Sequence, residues 1–236
     1  MAFTFKVVMF STSNIQSYAS LAADINRRYC EHQGYGFVHE QYDDVVMAPQ
    51  QEKIKVLTKH LGSADYLMWL DSDACVVNFS QRLEEFCQTE KDFIIAGHKY
   101  GYDLDWQRVQ YLINDAPGGL NSGVMLIRSS AWSRQFLDHW WSRCLIGFTQ
   151  GAKHGDQGPL QQMLVENAMN FHEHLQLVTP CSRFNRCDDD HMDVSEFVLH
   201  LWGQRNDERA QIFSQIHAGI KPDIGVSLPK FHVLAG

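Results

Sequence analysis

The segment YLMWLDSDA (residues 66–74) joins a short apolar run to a pair of carboxylates. Its first five residues are continuous, apolar and rich in aromatic side chains, which is typical of a strand buried on both faces of a parallel sheet. The run stops at Asp71, so Asp71 and Asp73 follow the carboxyl end of the predicted strand. Open α/β sheets bind their ligands at this edge, and the segment therefore predicts both a fold class and a ligand site.

The sequence around this strand repeats the strand, helix and strand order that builds parallel sheets. A strand is predicted over residues 3–10, a helix over 18–32 and a second strand over 37–40. Further helices are predicted over residues 51–61, 80–87, 129–144 and 160–167, and further strands over 92–97, 120–128, 175–178 and 197–201. The expected fold class is α/β, with a mostly parallel central sheet flanked by helices in a single domain over residues 1–236.

Composition narrows the class of protein. The formal net charge is -8 at pH 7, whereas a non-specific nucleic-acid binder needs a basic surface, so no nucleic-acid partner is expected. No apolar run approaches the ~20 residues that cross a bilayer, so no transmembrane segment is expected either. The cysteines are expected to be mainly buried free thiols. They are Cys30, Cys75, Cys87, Cys144, Cys181 and Cys187.

Asp71 and Asp73 are candidate metal ligands. In an extended segment residues i and i+2 share a face, so both carboxylates can point at one cation while Ser72 turns away. Mg²⁺ and Mn²⁺ prefer carboxylate oxygens, and a cation that bridges a diphosphate makes it a better leaving group. Two alternatives remain open: the motif closes a turn, or Asp71 is the nucleophile of a haloacid-dehalogenase-like phosphatase or phosphotransferase.

Two later stretches place short polar side chains beside predicted elements. Asn121 and Ser122 precede a buried strand and can hydrogen-bond sugar hydroxyls. Asp156 and Gln157 stand at a predicted helix start, where Asp156 is either an N-cap or, with Gln157, a residue that faces the anomeric carbon of a sugar.

Two basic residues near the end of the chain are further candidates. His200 ends a predicted strand, where a histidine is more often structural, although a neutral imidazole could complete a site begun by two carboxylates. Arg205 follows closely and could bridge phosphate oxygens through its planar guanidinium.

Four motifs occur in one order: WLDSDA (69–74), LNSGVMLIRSSAWS (120–133), GDQ (155–157) and FVLHLWG (197–203). Together they resemble the galactosyl-, mannosyl- and xylosyl-transferase family that includes fungal α-1,2-galactosyltransferases and plant xyloglucan xylosyltransferases. The resemblance implies a GT-A (Rossmann-like) fold and transfer of a hexose or pentose from a nucleotide-diphosphate sugar to a saccharide or glycan acceptor. It also implies retention of the anomeric configuration.

The resemblance further implies a set of site residues. A Mn²⁺ (or Mg²⁺) ion would be held by Asp71, Asp73 and His200, and the donor is expected to be a UDP-sugar, with a GDP-sugar as the alternative. The residues expected to bind the donor are Phe10, Ser11, Thr12, Lys53, Asp71, Ser72, Asn121, Ser122, Gly203 and Arg205. The residues expected at the reaction centre are Asp156, Gln157 and Asn121.

The reaction route and the acceptor are less specified by the sequence. A front-face displacement, in which the leaving diphosphate oxygen guides the acceptor hydroxyl, is favoured over a double displacement through a side chain. A non-catalytic protein that binds a nucleotide sugar or carbohydrate is a further alternative. The long irregular region 98–119 is expected to select the acceptor. The expected location is the cytoplasm, with the soluble catalytic domain of a Golgi-type enzyme as the alternative.

Overall fold

The computed structural model describes residues 3–87, 89–97, 120–149, 155–178, 180–189 and 192–236. The region 98–119, in which acceptor selection is predicted, lies outside the described residues, as do residues 150–154 before the GDQ motif. The described strands are β1 (Phe5–Ser11), β2 (Gly36–Gln41), β3 (Tyr66–Leu70), β4 (Ala74–Val76), β5 (Phe93–Gly97), β6 (Leu120–Arg128), β7 (Leu175–Val178), β8 (Cys187–Asp189), β9 (Met192–Val194), β10 (Val198–His200) and β11 (Val226–Ser227). The described α-helices are α1 (Gln16–Gln33), α2 (Pro49–His60), α3 (Ala131–Thr149), α4 (Gln157–Val165), α5 (Phe171–His174) and α6 (Asn206–His217).

Six of these strands form the central sheet, in the order β2-β1-β3-β6-β5-β7. Strand β1 runs parallel to β2 and β3, and β5 runs parallel to β7, whereas β6 is antiparallel to both of its neighbours. The sheet is therefore mostly parallel, as predicted. Leu70 at the end of β3 pairs with Val124 of β6, so the residues before Val124 lie at the same edge of the sheet as Asp71.

The two faces of the sheet bury different apolar clusters. Along β3, Met68 and Leu70 pack into the cluster that contains α1 and α6, while Leu67 and Trp69 pack into the cluster that contains α2 and α3. This alternation follows from the two-residue period of a strand. The described structure thus has three layers, with helices on both faces of the sheet, as expected of an α/β protein.

Several elements differ from the sequence prediction, among them the short strands β4, β8, β9 and β11 and helix α5, which were not predicted. The helix predicted over residues 80–87 is only a 3₁₀ turn at Leu83–Phe86, whose three-residue spacing buries both of those side chains. Helix α6 was not predicted, although its buried residues Ile212, Phe213 and Ile216 follow helical spacing. Beyond the central sheet, β4 pairs with β10 in a separate antiparallel ribbon.

The cysteines divide into two groups. Cys30, Cys75, Cys87 and Cys144 are buried free thiols, as expected. Burial raises the pKa of Cys144 to about 12, which makes it an inert small hydrophobe near neutral pH. Cys181 is disulfide-bonded, so the expectation of a free thiol is wrong there. Across the part of the chain that the structure describes, no helix has both the length and the apolar character of a membrane span.

Candidate active site

The turn after β3 places the D-S-D motif at the edge of the sheet. The backbone N–H of Asp71 donates to the carbonyl of Gly123 at 2.8 Å, and the N–H of Ala74 donates back to the carbonyl of Asp71 at 2.9 Å. Ser72 turns away from its two neighbours, as predicted, because its hydroxyl donates to the carbonyl of Phe10 in β1. The two carboxylates are left on the open side of the turn.

Three side chains converge beyond this turn: Asp71, Asp73 and His200. Each offers one ligand atom, and the three atoms all lie within 4.8 Å of one another. The Nε2 atom of His200 is 3.2 Å from Oδ1 of Asp73 and 3.9 Å from Oδ2 of Asp71. The convergence follows from pairing, because His200 in β10 lies opposite Ala74 in β4. Two carboxylates and an imidazole form a donor set that fits a divalent cation.

Gly123 leaves the space that His200 occupies. A Cβ atom at residue 123 would lie 2.1 Å from Cε1 of the imidazole, a distance that no side chain tolerates. The Nδ1 atom of His200 is buried and has no hydrogen-bond partner among the described residues. Nε2 is therefore the ring nitrogen that contacts the two carboxylates. The LNSG motif thus supports the candidate metal site by packing, a role that its short polar residues did not indicate.

Asp73 is held from two sides. Its Oδ2 atom lies 2.8 Å from Nη2 of Arg209 in α6, while Oδ1 faces His200. Burial alone would raise the pKa of Asp73, but the interactions with His200 and Arg209 outweigh burial and lower this pKa to about 2. The carboxylate is therefore ionised near neutral pH, which is the state that a metal ligand requires.

A cavity of about 300 Å³ opens beside the carboxylates. Its walls come from the end of β1 and the residues after it, from α1, from the start of α2, from the end of β3, from the D-S-D turn and from α6. The lining residues are Phe10, Ser11, Thr12, Asn14, Ile15, Tyr18, Pro49, Gln50, Lys53, Trp69, Asp71, Ser72, Asp73 and Arg209. Six of the predicted donor-binding residues, from Phe10 to Ser72, thus lie together around one cavity.

Lys53 links two carboxylates at the floor of this cavity. Its Nζ atom is 3.0 Å from Oδ1 of Asp71, 3.0 Å from Oδ2 of Asp156 and 3.0 Å from the carbonyl oxygen of Ser122. The side chain is only 2% exposed. Burial would lower the pKa of the ammonium group, but the carboxylates of Asp156 and Asp71 outweigh burial and raise that pKa. All three N–H bonds of Lys53 therefore have acceptors within the protein.

Of the predicted reaction-centre residues, Asp156 and Gln157 both contact Ser122 beside Lys53, and Asn121 contacts Gly123. The hydroxyl of Ser122 donates to Oδ2 of Asp156 at 2.6 Å, and the backbone N–H of Ser122 donates to Oε1 of Gln157 at 3.3 Å. Asp156 precedes α4, but its side chain makes no capping hydrogen bond there. Asn121 accepts through Oδ1 from the backbone N–H of Gly123 at 3.0 Å. The N-cap alternative for Asp156 is therefore not what the structure shows.

Arg205 and Gly203 lie apart from this cavity. The Arg205 side chain is 73% exposed and pairs with Asp207 at 2.8 Å, and Gly203 forms an exposed turn with a φ of +75°. The arginine that lines the cavity is Arg209, one helical turn further along. Sequence reasoning missed Arg209 because it missed α6. The sequence does contain a signal for Arg209, because this residue follows Arg205 by four positions, which is about one turn of a helix.

The sequence also matches a known protein family. The sequence profile of the galactosyl transferase GMA12/MNN10 family matches residues 5–210, which is most of the chain. The chain belongs to the galactosyl transferase GMA12/MNN10 family. This membership confirms the resemblance predicted from the four motifs.

Two curated proteins illustrate the distance to known family members. The α-1,2-galactosyltransferase of Schizosaccharomyces pombe is 24% identical over 234 residues, covering 84% of this chain and 61% of the relative. The probable α-1,6-mannosyltransferase MNN10 of Saccharomyces cerevisiae is 26% identical over 108 residues, covering 40% of this chain and 28% of the relative. The chain thus spans less than two thirds of the length of either of these relatives.

Solved structures show the same fold. A glycosyltransferase involved in glycosylation of the major capsid of PBCV-1 superposes with a TM-score of 0.62 at 14% identity, covering 90% of this chain and 99% of that protein. The galactosyltransferase LgtC, solved with donor and acceptor sugar analogs, superposes with a TM-score of 0.54 at 15% identity, covering 93% and 97%. The predicted GT-A fold is thereby confirmed for this member of the GMA12/MNN10 family.

Proposed function

We propose that this chain is a retaining glycosyltransferase that moves a hexose or pentose from a nucleotide-diphosphate sugar to a saccharide acceptor and depends on Mn²⁺ or Mg²⁺. The observation that carries the proposal is the convergence of Asp71, Asp73 and His200, two of which line a cavity of about 300 Å³. A bound cation would neutralise the charge of the leaving diphosphate. The proposed ligands of that cation are these three side chains.

The donor is proposed to lie along the cavity. The nucleoside would occupy the end formed by Phe10, Ser11 and Thr12, and the diphosphate would lie near Asp71 and Asp73. These ends are adjacent because β1 and β3 are neighbouring parallel strands that finish at the same edge. A UDP-sugar is the donor to test first, and a GDP-sugar is the alternative.

The front-face route is the proposed mechanism. Oδ2 of Asp156 accepts hydrogen bonds from both Lys53 and Ser122, which lowers its nucleophilicity and ties the side chain to the protein interior. The role that suits Asp156 is to hold Lys53, which in turn orients Asp71. Placement of Asp156, Gln157 and Asn121 at the reaction centre stays a prediction, as does catalysis by a single domain over residues 1–236.

The test combines binding with turnover. UDP- and GDP-sugars are screened by thermal shift with and without Mn²⁺, because a ligand that binds only the folded state raises the melting temperature. Cleavage of any hit is then followed with saccharide acceptors, and the anomeric configuration of the product is read by NMR. We expect a Mn²⁺-dependent shift, donor cleavage and a product with the donor's configuration.

Asp73→Asn is the decisive variant, since it removes one proposed metal ligand while keeping the shape of the side chain. Loss of a metal's contribution of several kcal/mol would reduce turnover by about a thousandfold. Asp207→Asn is the matched control, because Asp207 is 71% exposed and lies outside the cavity. Full activity in Asp73→Asn would overturn the metal assignment. Release of phosphate from a phosphomonoester, without cleavage of any nucleotide sugar, would instead indicate a phosphatase.

A further inference from the structure

Asn26 is a fully buried amide inside an apolar helix face. It lies in α1 and is 0% exposed, between Ala22 and Ala23 on one side and Tyr29 and Cys30 on the other, all four of them buried. A buried amide without hydrogen-bond partners would destabilise the fold, so the partners of Asn26 indicate what its side chain holds in place. Its Nδ2 atom donates to a carbonyl at 3.0 Å and to the Sδ atom of Met9 in β1 at 3.3 Å, and its Oδ1 atom accepts from a backbone N–H at 2.9 Å.

Both backbone partners belong to β4. They are the carbonyl of Ala74 and the N–H of Val76, two residues apart on the edge of β4 that faces α1. The opposite edge of β4 pairs with β10, and among the described residues this ribbon has two strands. A two-stranded ribbon is marginally stable alone. The carboxamide of Asn26 offers β4 one donor and one acceptor, as a peptide group of a third strand would.

This ribbon carries two of the three proposed metal ligands. Asp73 immediately precedes β4, and its carbonyl accepts from the N–H of Leu201 at 2.8 Å. His200 ends β10 directly opposite Ala74, the residue whose carbonyl Asn26 holds. A displacement of β4 relative to α1 would therefore move Asp73, and through the strand pairing it would move His200 as well.

We propose that Asn26 is a positioning residue for the metal site: it fixes β4 from the side of α1 and thereby sets the places of Asp73 and His200. The inference rests on the metal dependence proposed above. It concerns no contact with substrate or cation. Asn26 is more than 40 residues from Asp73 in sequence, and its effect passes through two hydrogen bonds to the backbone of β4.

The test is Asn26→Ser, which shortens the side chain and removes both hydrogen bonds to β4 without adding charge. The affinity for Mn²⁺ is measured without nucleotide, by electron paramagnetic resonance of the free ion. Loss of residues that support metal ligands weakens metal binding about 10- to 100-fold, and we expect a Kd for Mn²⁺ at least about tenfold higher than that of the wild type. The melting temperature of the metal-free protein is recorded beside it.

Tyr29→Phe is the matched control. Tyr29 lies in the same helix, is equally buried, and donates through its hydroxyl to the carbonyl of Gln81 at 2.8 Å, away from β4. Its loss should lower the melting temperature while leaving the Kd for Mn²⁺ unchanged. A Kd within twofold of wild type in a folded Asn26→Ser protein overturns the inference alone. Absence of Mn²⁺ binding in wild type and control would instead overturn the proposed metal dependence, and this inference with it.

If Asn26→Ser does not fold, hydrogen exchange of the wild-type protein tests the inference about Asn26 instead. The N–H of Val76 is bound by Asn26, so its exchange requires β4 to leave α1. If that movement also releases the cation, Mn²⁺ at about ten times its Kd should slow exchange at Val76 about tenfold. An unchanged exchange rate at Val76 with Mn²⁺ bound would overturn the inference.

Discussion

Asp73 and Asp156 are both largely buried carboxylates, and each lies beside a cation, yet the two regions around them are built differently. Asp73 divides its oxygens between His200 and Arg209 and lines the cavity. Asp156 directs one oxygen to both Lys53 and Ser122 and stays behind the cavity wall. The pairing partners of Asp73 come from the C-terminal part of the chain, whereas those of Asp156 come from α2 and β6.

Asp73 is thus placed where it can bind a ligand, whereas Asp156 is placed where it stabilises the fold. A carboxylate whose cation comes from a fully buried lysine has its charge balanced within the protein. Asp73 faces the imidazole of His200. Carboxylates and imidazoles both bind metals, so a divalent cation could lie between these two side chains. Asp71 belongs to both regions, since Oδ1 contacts Lys53 at 3.0 Å and Oδ2 faces His200 at 3.9 Å.

Lys53→Met should produce the largest change. It leaves the charge of Asp156 buried without a cation, and loss of one partner of a buried pair costs about 3–5 kcal/mol. We expect that loss in the free energy of unfolding by urea, measured without metal. The double variant Lys53→Met/Asp156→Asn should be less destabilised than the single one, because the buried charge of Asp156 is gone and only the partly exposed Asp71 loses its partner. If the free energy of unfolding of Lys53→Met lies within about 1 kcal/mol of the wild-type value, Lys53 does not balance the buried charge of Asp156.

Arg209→Gln tests the region around Asp73 in the same way and should have a smaller effect. The side chains of Arg209 and Asp73 are each 15% exposed, so water replaces part of the lost interaction. A hydrogen bond to a charged group contributes about 1.5–3 kcal/mol, and we expect a loss at the lower end of that range in urea unfolding.

Arg205→Gln is the control for Arg209→Gln. Arg205 is 73% exposed, precedes α6 and pairs with two exposed carboxylates of the first turn of that helix, Asp207 and Glu208. Surface changes of this kind stay within about 0.5 kcal/mol. Equal losses in the two arginine variants would erase the distinction between the cavity-lining arginine and the exposed one.

Much of this architecture was predictable because its signals are local. The strands Tyr66–Leu70, Leu120–Arg128 and Leu175–Val178 were predicted with their observed bounds, since each is short and rich in apolar residues; the first is a continuous apolar run. The proposed metal ligands Asp71 and Asp73 follow from the first of these runs. The alternation of strands and helices then predicted an α/β fold, which the GT-A neighbours confirm.

The remainder depends on contacts between distant parts of the chain. Strand β4 has only three residues, and its partners, β10 and Asn26, lie far from it in sequence. No local pattern indicates that a helix amide will complete a strand edge. The sequence prediction named Arg205 and left out Arg209 for the same reason, because the packing of α6 decides which arginine faces Asp73.

Ser72→Ala should have the smallest effect and separates the two ends of the cavity. Its hydroxyl donates to the carbonyl of Phe10, at the proposed nucleoside end, and does not face the metal ligands. Loss of one neutral hydrogen bond costs about 1 kcal/mol, so we expect about a fivefold weaker affinity for the nucleotide sugar in the presence of Mn²⁺. The affinity for Mn²⁺ alone should be unchanged, and Ser20→Ala, an exposed serine of α1, serves as the control. Both affinities are measurable by calorimetry. A weaker affinity for Mn²⁺ in Ser72→Ala would mean that the serine also positions the two carboxylates beside it, and that the metal end and the nucleoside end are one unit.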